Sequence, residues 1–261
     1  MQVNVALVTG GASGMGRLAA LTLANNGARV AIVDMHDDNL AATAAESDNI
    51  TAYKCDVSDI DDVRILISNV ESELGPIDRL TQCAAIMPGD SVRGMSVELT
   101  NKQMMINYCG TVNMVKTVME GMENRGKGQI AVFGSMAGSV LTHGLGGYCA
   151  TKAATNVWME VLAEEMRSSP VHYLLVCPPM VNTPLVDQAI EKGPGSIVGA
   201  KKDNRMSDPQ DIVDAVEEAL GKGKSAKNWR VCPQSAGFMM LFRRLAPGLL
   251  WKVMRKANPD Q

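Results

Sequence analysis

The chain has 261 residues, 46% of them hydrophobic and 20% charged, and a formal net charge of -3, which fits one globular domain and excludes disordered, collagen-like and small disulfide-stapled chains. Its six cysteines form no C-x-x-C pair and no close cluster with histidine, so we expect free thiols in a reducing compartment and no metal site. Residues 1–200 carry 13 Lys and Arg against 21 Asp and Glu, whereas residues 201–261 carry 12 against 7, and an acidic main body of this kind argues against nucleic-acid binding.

No basic residue precedes Arg17, so we expect no signal peptide and a cytoplasmic location.

Short runs of β-branched and apolar residues alternate along the chain with longer segments of helical periodicity. Each run is continuously apolar, as in strands buried on both faces, and crossover helices join such strands into a parallel sheet. The sequence therefore predicts a single-domain, doubly wound α/β fold of about seven strands with helices on both faces. The predicted strands are Val3–Val8, Arg29–Val33, Ile50–Lys54, Arg79–Cys83, Gln129–Phe133, Val171–Cys177 and Trp229–Cys232.

Two of the predicted helices each carry two apolar stripes. One stripe can cover the sheet, and the other needs a second partner. Either the second stripes form a self-association face, which predicts a homodimer or homotetramer, or they lie under loops of the same chain. The stripes consist of Met114, Val118 and Met122 beside Val115 and Met119, and of Val157 and Val161 beside Trp158, Leu162 and Met166.

The last third of the chain contains a long irregular stretch and a basic tail. We expect the stretch from about 179 to 207 to be a substrate lid with short helical pieces, because loops of that length in compact domains are usually functional. Residues 1–234 would form the main domain, and residues 235–261 a basic amphipathic extension that Pro247-Gly248 divides into two helical pieces. Such an extension can cover a neighbouring site, join subunits or lie at a membrane interface. Packing on protein is the favoured alternative.

A glycine-rich loop follows the first predicted strand and opens the first predicted helix. Its backbone N–H groups and the positive end of the helix can bind a pyrophosphate. Asp34 ends the second strand 18 residues after this loop, where a carboxylate would accept a hydrogen bond from a ribose 2′-hydroxyl and repel a 2′-phosphate. The pattern predicts a dinucleotide site that prefers NAD to NADP. The loop residues expected at the cofactor are Gly10, Ser13, Gly14, Met15 and Gly16.

Further along, Ser135 ends the fifth strand, and the segment Tyr148-Cys149-Ala150-Thr151-Lys152 opens a helix 13 residues later. Together with the G-x-x-x-G-x-G loop, this combination resembles the compact short-chain dehydrogenase/reductases over roughly residues 3–234. The resemblance implies a Rossmann fold and hydride transfer between a nicotinamide and a substrate carbon. Tyr148 would exchange a proton with the substrate oxygen, and Ser135 would hydrogen-bond that oxygen. Lys152 would stabilise the phenolate and hold the nicotinamide ribose.

The resemblance also implies roles for a helix residue and for a turn after the third strand. Asn107 matches the family's helix asparagine, which distorts its helix and helps to hold a water in a proton relay to Lys152. Asp56 and Val57 match the family's contact with adenine, in which the carboxylate accepts from the exocyclic amine. Asp56 would serve equally well as a helix N-cap, and both roles are compatible.

Two segments depart from the family's pattern. The usual Asn-Asn-Ala-Gly after the fourth strand reads Gln82-Cys83-Ala84-Ala85, and the two alanines would line the cofactor, which is tolerated if the second has a negative φ. The usual Pro-Gly after the sixth strand reads Pro178-Pro179 and stiffens the start of the lid. Val181 and Thr183 still match the residues that meet the nicotinamide carboxamide.

These observations predict an NAD(H)-dependent oxidoreductase that interconverts a secondary alcohol and a ketone. Met87, Met95, Met136 and Met180 favour an apolar lipid-, steroid- or terpenoid-like substrate, because thioethers adapt to irregular hydrophobic ligands. His143, five residues before Tyr148, could line the substrate pocket or be a solvated loop side chain, and the second alternative is favoured. One alternative is an NADPH-dependent ketone or ketoacyl reductase. Another is a non-catalytic dinucleotide-binding protein with a regulatory or scaffold role.

Overall fold

A computed structural model describes residues 1–190, 192–224, 229–233 and 236–257 of the chain. Within these residues, seven strands form one sheet in the order β3-β2-β1-β4-β5-β6-β7. Every neighbouring pair of strands is parallel, which confirms the predicted fold class. The strands are β1 Val5–Thr9, β2 Arg29–Asp34, β3 Ile50–Lys54, β4 Arg79–Gln82, β5 Gly128–Phe133, β6 Val171–Val176 and β7 Arg230–Val231.

Each predicted strand is present, with small shifts at the ends. The largest shift is at β1, which begins at Val5 instead of Val3. The prediction that every strand is buried on both faces is correct for β1 but wrong for β3, where exposed and half-buried residues alternate after Ile50, and for β7 at the other edge, where Arg230 is exposed and Val231 half-buried. The reason is position, because β3 lies at the edge of the sheet, where the helical layers no longer cover it fully.

Helices cover both faces of the sheet, as the alternation of side chains along β1 shows. Leu7 packs into the core beneath α3, α5 and α6, whereas Val8 packs on the opposite face beneath α1 and α2. The helix α9 lies on the same face as α1 and contacts it. The helices are α1 Gly14–Asn25, α2 Asp37–Ala44, α3 Ile60–Glu73, α4 Val97–Met104, α5 Gly110–Arg125, α6 Gly146–Glu165, α7 Pro184–Asp187, α8 Gly195–Lys202, α9 Pro209–Gly221, α10 Ala236–Leu245 and α11 Pro247–Ala257.

The two helices with double apolar stripes differ from each other in the structure. On α5, Met114, Val115, Val118 and Met122 are all buried, so this chain itself covers them. On α6, Leu162 is buried and Trp158 packs against the core, but Val157 and Val161 are 63% and 50% exposed. The alternative of burial within the same chain is therefore correct for α5. Self-association remains a prediction, and it now rests on α6.

The lid and the tail contain the short helices that the sequence predicts. The lid segment carries α7 and α8, and a parallel bridge between Val181 and Ser207 joins its two ends. The tail forms α10 and α11, and the second begins at Pro247. The predicted domain boundary at 234/235 lies outside the described residues. No helix in the described part of the chain is long and apolar enough to cross a bilayer.

Candidate active site

The candidate site lies where the order of the strands reverses. From β1, the chain runs outward to β2 and β3 on one side and to β4, β5, β6 and β7 on the other. In doubly wound sheets, the loops at the carboxyl ends of the strands separate at such a point and leave a crevice for a ligand. The glycine-rich loop after β1 and the Gln82–Ala85 segment after β4 lie at this point in the structure.

The glycines of the loop after β1 allow close backbone contacts that no other residue would permit. Gly10 has a φ of +65°, and a Cβ there would lie 3.0 Å from the backbone nitrogen of Ala84. A Cβ on Gly16 would lie 2.2 Å from the carbonyl oxygen of Gly10. Ser13 precedes α1 without capping it through its side chain, and the first turn of α1 has no acidic residue. The first N–H groups of this helix therefore suit a pyrophosphate.

Asp34 lies at the carboxyl end of β2, beside the glycine loop. One carboxylate oxygen accepts a hydrogen bond from the backbone nitrogen of Met35 at 2.8 Å, and the other accepts from that of Ala12 at 3.4 Å. Two cations on neighbouring elements are paired with other acids, because Arg17 binds Glu46 and Lys54 binds Asp37. These two cations therefore do not neutralise the negative charge of the Asp34 carboxylate.

The turn after β3 places Asp56 and Val57 as the sequence predicts but gives Asp56 a different structural role. Its carboxylate accepts from the nitrogen and the hydroxyl of Ser58, at 2.9 and 2.7 Å. The predicted N-cap role is wrong, because α3 begins at Ile60 and Asp59 caps it. Val57 is buried, and its carbonyl accepts a hydrogen bond from Asn113 at 3.0 Å.

The segment after β4 is held by a buried threonine that the sequence analysis did not single out. The hydroxyl of Thr9 donates to Oε1 of Gln82 at 2.7 Å and accepts from the backbone nitrogens of Cys83 and Ala84, at 3.2 and 3.1 Å. Among the described residues other than glycine, only Asn204 has a positive φ. Ala85 therefore has an ordinary backbone, and the alanine in place of glycine causes no strain there.

Ser135, Tyr148 and Lys152 come together in the interior of the site. Ser135 follows β5, and Tyr148 and Lys152 lie one turn apart near the start of α6. The Ser135 side chain influences the Tyr148 phenol by opposing the rise in its pKa, and the Ser135 hydroxyl accepts from the backbone nitrogen of Ala137 at 3.0 Å. The Nζ atom of Lys152 lies 5.8 Å from the centre of the Tyr148 ring and donates to the carbonyl oxygen of Phe133 at 2.6 Å. All three catalytic candidates are buried.

Burial controls the protonation of the pair on α6. It raises the pKa of Tyr148 to about 12, an effect that the hydrogen bond to Ser135 opposes. Burial also lowers the pKa of Lys152 to about 8. Both shifts favour the neutral forms of these side chains. A neutral phenol next to a serine hydroxyl is a proton donor, which suits the reduction of a carbonyl.

Asn107 lies in a distorted stretch of helix, as the resemblance implies. A π-helical turn, Met105–Cys109, joins α4 to α5 at this point. The Oδ1 atom of Asn107 accepts from the backbone nitrogen of Ile86 at 2.8 Å. Its Nδ2 atom donates to the carbonyl oxygen of Ile86 and to the hydroxyl of Thr151, at 2.9 and 3.1 Å. Asn107 thus ties the loop after β4 to α6, and its role in a proton relay remains a prediction.

Asn156 fixes the backbone of Ser135 and is a second residue that the sequence analysis missed. Its Oδ1 atom accepts from the Ser135 nitrogen at 3.3 Å, and its Nδ2 atom donates to the Ser135 carbonyl at 2.9 Å. A Cβ at Gly134 would lie 2.0 Å from this side chain, and one at Gly138 would lie 2.5 Å from it. Asn156 is four residues after Lys152, so the i, i+4 spacing on one helix face was the available signal.

The lid reaches the glycine loop and the apolar side of Tyr148. A Cβ on Gly14 would lie 3.4 Å from the Cβ of Thr183, and Val181 is buried nearby in the first part of the lid. The backbone nitrogen of Met87 donates to the side chain of Gln188 at 2.8 Å, which joins the lid to the loop after β4. The buried cluster at this point consists of Met87, Leu145, Tyr148, Cys149, Val186, Ala189 and Ile197.

The methionines that favoured an apolar substrate do not all lie in this cluster. Met87 belongs to it and Met180 packs against it. The sulfur of Met95 instead accepts from Gln103 at 2.9 Å, and Met136 lies in a 3-10 turn after Ser135. The apolar environment around Tyr148 is therefore built mainly by the lid and by the residues before α6.

His143 lies beneath the C-terminal helices, so the expectation of a solvated loop side chain is wrong. The centre of its ring lies 5.0 Å from that of Trp251 on α11. The two rings line a cavity of about 550 Å³ that also borders Val92, Leu141 and Cys149. His143 is partly shielded from solvent because α11 folds back over the loop that precedes Tyr148 and places Trp251 against the His143 ring.

Comparisons with known proteins identify the family. The short chain dehydrogenase family model matches residues 4–193. The acetoacetyl-CoA reductase of Allochromatium vinosum is 28% identical over 244 residues, which cover 91% of this chain and 99% of the reductase. This protein therefore belongs to the short-chain dehydrogenase family and is an oxidoreductase of that family.

Solved structures share the fold at low sequence identity. A short-chain dehydrogenase/reductase from Burkholderia phymatum in complex with NAD aligns with a TM-score of 0.83 and 22% identity over 95% of both chains. A variant of actinorhodin polyketide ketoreductase with NADPH aligns with a TM-score of 0.81 and 24% identity over 90% of this chain and 97% of the ketoreductase. Both confirm the Rossmann-like architecture, and one of them carries NAD and the other NADPH.

Proposed function

We propose that this protein is an NAD(H)-dependent oxidoreductase that interconverts a secondary alcohol and a ketone. The observation that carries the proposal is the burial of Ser135 and Tyr148 in one site, with Lys152 one helical turn further on and its Nζ atom 5.8 Å from the centre of the Tyr148 ring. Such a pair can hydrogen-bond one substrate oxygen from two sides and exchange a proton with it. The nicotinamide, when bound, supplies or accepts the hydride.

The other residues of the site have supporting roles in this proposal. Tyr148 donates a proton to the ketone oxygen during reduction and accepts it during oxidation, while Ser135 orients that oxygen. Lys152 binds the nicotinamide ribose and stabilises the phenolate, and Asn107 helps to return the proton to solvent. Val181 and Thr183 hold the carboxamide, and Ala84 and Ala85 lie along the cofactor. The glycine loop holds the pyrophosphate, and Asp56 and Val57 hold the adenine.

The preference for NAD is argued from Asp34. A 2′-phosphate placed at the end of β2 would meet this carboxylate, and like charges at hydrogen-bonding distance repel each other strongly. Arg17 and Lys54 could relieve that repulsion only by leaving Glu46 and Asp37. The 2′-hydroxyl of NAD would instead donate to Asp34.

The substrate in this proposal is an apolar alcohol or ketone. Tyr148 belongs to a cluster in which Met87, Leu145, Val186 and Ile197 are also buried. A lipid-, steroid- or terpenoid-like molecule would bury apolar surface against this cluster and present one oxygen to Tyr148. We keep a cytoplasmic location and a homo-oligomeric state as parts of the proposal.

Two alternatives make different predictions. An NADPH-dependent ketone or ketoacyl reductase is suggested by the acetoacetyl-CoA reductase among the relatives and by the NADPH complex among the structures. A non-catalytic dinucleotide-binding protein would bind the cofactor without hydride transfer. Ser135, Tyr148 and Lys152 argue against this second alternative, because a site without catalysis has no use for a buried acid/base pair.

The test is a steady-state screen of the purified full-length protein against a panel of secondary alcohols and ketones of increasing apolar size. Each compound is measured with NAD(H) and with NADP(H). We expect turnover with NAD(H) that improves with apolar size. Turnover only with NADP(H) would favour the first alternative, and cofactor binding without turnover of any compound would favour the second.

A further inference from the structure

The C-terminal helices α10 and α11 leave a row of large apolar side chains in solvent. On α10, Phe238, Leu241 and Leu245 are spaced three and four residues apart, so they share one face of the helix. They are 69%, 56% and 75% exposed, and Leu249 at the start of α11 is 52% exposed. We call these four residues the exposed stripe. Phe242 stacks on Phe238 with the ring centres 6.3 Å apart and widens it.

Other side chains of the same two helices attach them to the body of the protein. Met240 packs against the main core and lies 3.9 Å, sulfur to sulfur, from Cys232. Leu250 is buried, and Trp251 contacts His143. The packing on protein that the sequence favours is therefore present on one side of the helices. The exposed stripe is a separate surface, which this packing does not use.

The charges on α10 and α11 are all of one sign. Residues 236–257 contain five Lys and Arg and no Asp or Glu. Arg244, Lys252, Arg255 and Lys256 are exposed. A surface in contact with water alone usually carries charges of both signs, and protein interfaces are depleted of lysine at their centre. Exposed apolar side chains flanked only by cations are instead typical of helices that lie in a membrane interface.

We propose that the exposed stripe and its flanking cations form a docking surface for an anionic lipid bilayer. The two helices have 10 and 11 residues and are too short to span a bilayer, so they would lie in its plane. The stripe enters the boundary between headgroups and acyl chains, and the cations bind the lipid phosphates.

The test is sedimentation of the full-length protein with vesicles of phosphatidylcholine, with and without phosphatidylglycerol. No cofactor or substrate is present, so the result is independent of the proposed enzyme activity. We expect binding to vesicles that contain phosphatidylglycerol and at least about tenfold weaker binding to pure phosphatidylcholine, since cations near an anionic bilayer surface are attracted to it. High salt should also release the protein.

Two pairs of variants identify the surface. Leu241→Ser/Leu245→Ser removes apolar side chains of the stripe, and its control, Ile65→Ser/Val97→Ser, removes residues that are 60% and 70% exposed on α3 and α4. Arg244→Glu/Arg255→Glu reverses two exposed charges, and Lys102→Glu/Lys116→Glu makes the same charge change on α4 and α5. We expect both tail variants to lose about tenfold or more in vesicle affinity. Both controls should bind as the wild type does.

Three results would overturn the proposal. The first is that the wild type fails to bind vesicles with phosphatidylglycerol, and the second is that both tail variants bind as well as their controls. The third is that light scattering without lipid shows an oligomer that Leu241→Ser/Leu245→Ser dissociates, while vesicle binding is absent. That third result would assign the stripe to a second copy of the chain. Thermal unfolding shows which variants are folded. If Leu241→Ser/Leu245→Ser is not folded, the vesicle binding of Arg244→Glu/Arg255→Glu decides the test.

Discussion

At the scale of single residues, the site depends on two side chains whose pKa values burial shifts towards the neutral form. Lys152 is buried and donates to a backbone carbonyl, and burial lowers its pKa to about 8. Tyr148 is buried beside it, and burial raises its pKa to about 12. The structure therefore favours the phenol over the phenolate. A neighbouring lysine lowers the pKa of a phenol only when the lysine is charged. Burial opposes that charge on Lys152.

Replacement of Tyr148 by phenylalanine tests the acid/base role. The substitution keeps the ring in its buried place and removes the phenol hydroxyl, the group that exchanges a proton with the substrate oxygen in the proposed mechanism. We expect kcat/KM for the best alcohol or ketone to fall by about 10² to 10⁴. The matched control is Tyr53→Phe. Tyr53 lies on the edge strand β3, away from the candidate site, and its hydroxyl donates to Glu73. Full turnover by Tyr148→Phe would refute the proposed mechanism.

Lys152 gives a second prediction, which concerns stability and pH. Its pKa is about 8 in the folded protein against an ordinary value of 10.5, so between these values the unfolded chain binds more protons than the folded one. The contribution of Lys152 to stability is therefore full above pH 10.5 and is lost as the pH falls to 8. We expect the unfolding free energy of the wild type, relative to Lys152→Met, to rise by about 2 kcal/mol from pH 8 to pH 10.

Chemical denaturation at several pH values measures this difference. Groups that titrate in both proteins, such as the buried cysteines, largely cancel from the comparison. A difference that is flat across the window would mean that Lys152 is as well solvated in the folded protein as in the unfolded chain. A difference that falls with pH would mean that a buried anion is paired with it.

At the scale of elements, α6 organises the site because one face of this helix carries Tyr148, Lys152 and Asn156. The approach of β5 to this face depends on Gly134 and Gly138, where a Cβ would collide with Asn156. The turn after β5 is therefore held against α6 by two glycines and two hydrogen bonds. This arrangement fixes the backbone of Ser135 and hence the direction of its hydroxyl.

The variant Gly138→Ala tests this packing. Its Cβ would lie 2.5 Å from Nδ2 of Asn156 and 2.6 Å from the carbonyl oxygen of Lys152, and backbone must move to relieve the second contact. We expect a loss of about 1 to 3 kcal/mol in the free energy of unfolding and reduced kcat. Gly221→Ala is the control, because a Cβ there meets nothing within 4 Å. Equal stability of the two variants would show that the turn is not tightly held.

At the scale of the whole molecule, local pattern was sufficient for the architecture but not for the contacts between distant segments. Apolar runs separated by helical periodicity predict the parallel sheet, and Asp34 follows from its distance to the glycine loop. The bond from Thr9 to Gln82 joins residues that are 73 positions apart. It depends on the register of β1 against β4, which the sequence does not state.

Two wrong predictions have different physical causes. The N-cap of α3 is displaced from Asp56 to Asp59, because Asp56 bonds the hydroxyl and the nitrogen of Ser58 instead. The glycine-rich surroundings of His143 predict a solvated side chain, but Trp251, more than a hundred residues later, packs against its ring. The first error arose within three residues, where Ser58 and Asp59 compete for the two roles, whereas the partner in the second lies outside the short window that local pattern can judge.

We propose that the crevice between β1 and β4 binds NAD(H) in preference to NADP(H) because of Asp34. The most direct measurement is isothermal titration calorimetry of the full-length protein with NADH and with NADPH, repeated for Asp34→Ser. We expect NADH to bind at least about tenfold more tightly, which corresponds to about 1.4 kcal/mol, and Asp34→Ser to reduce this preference. Equal or tighter binding of NADPH by the wild type would refute the proposed preference for NAD(H).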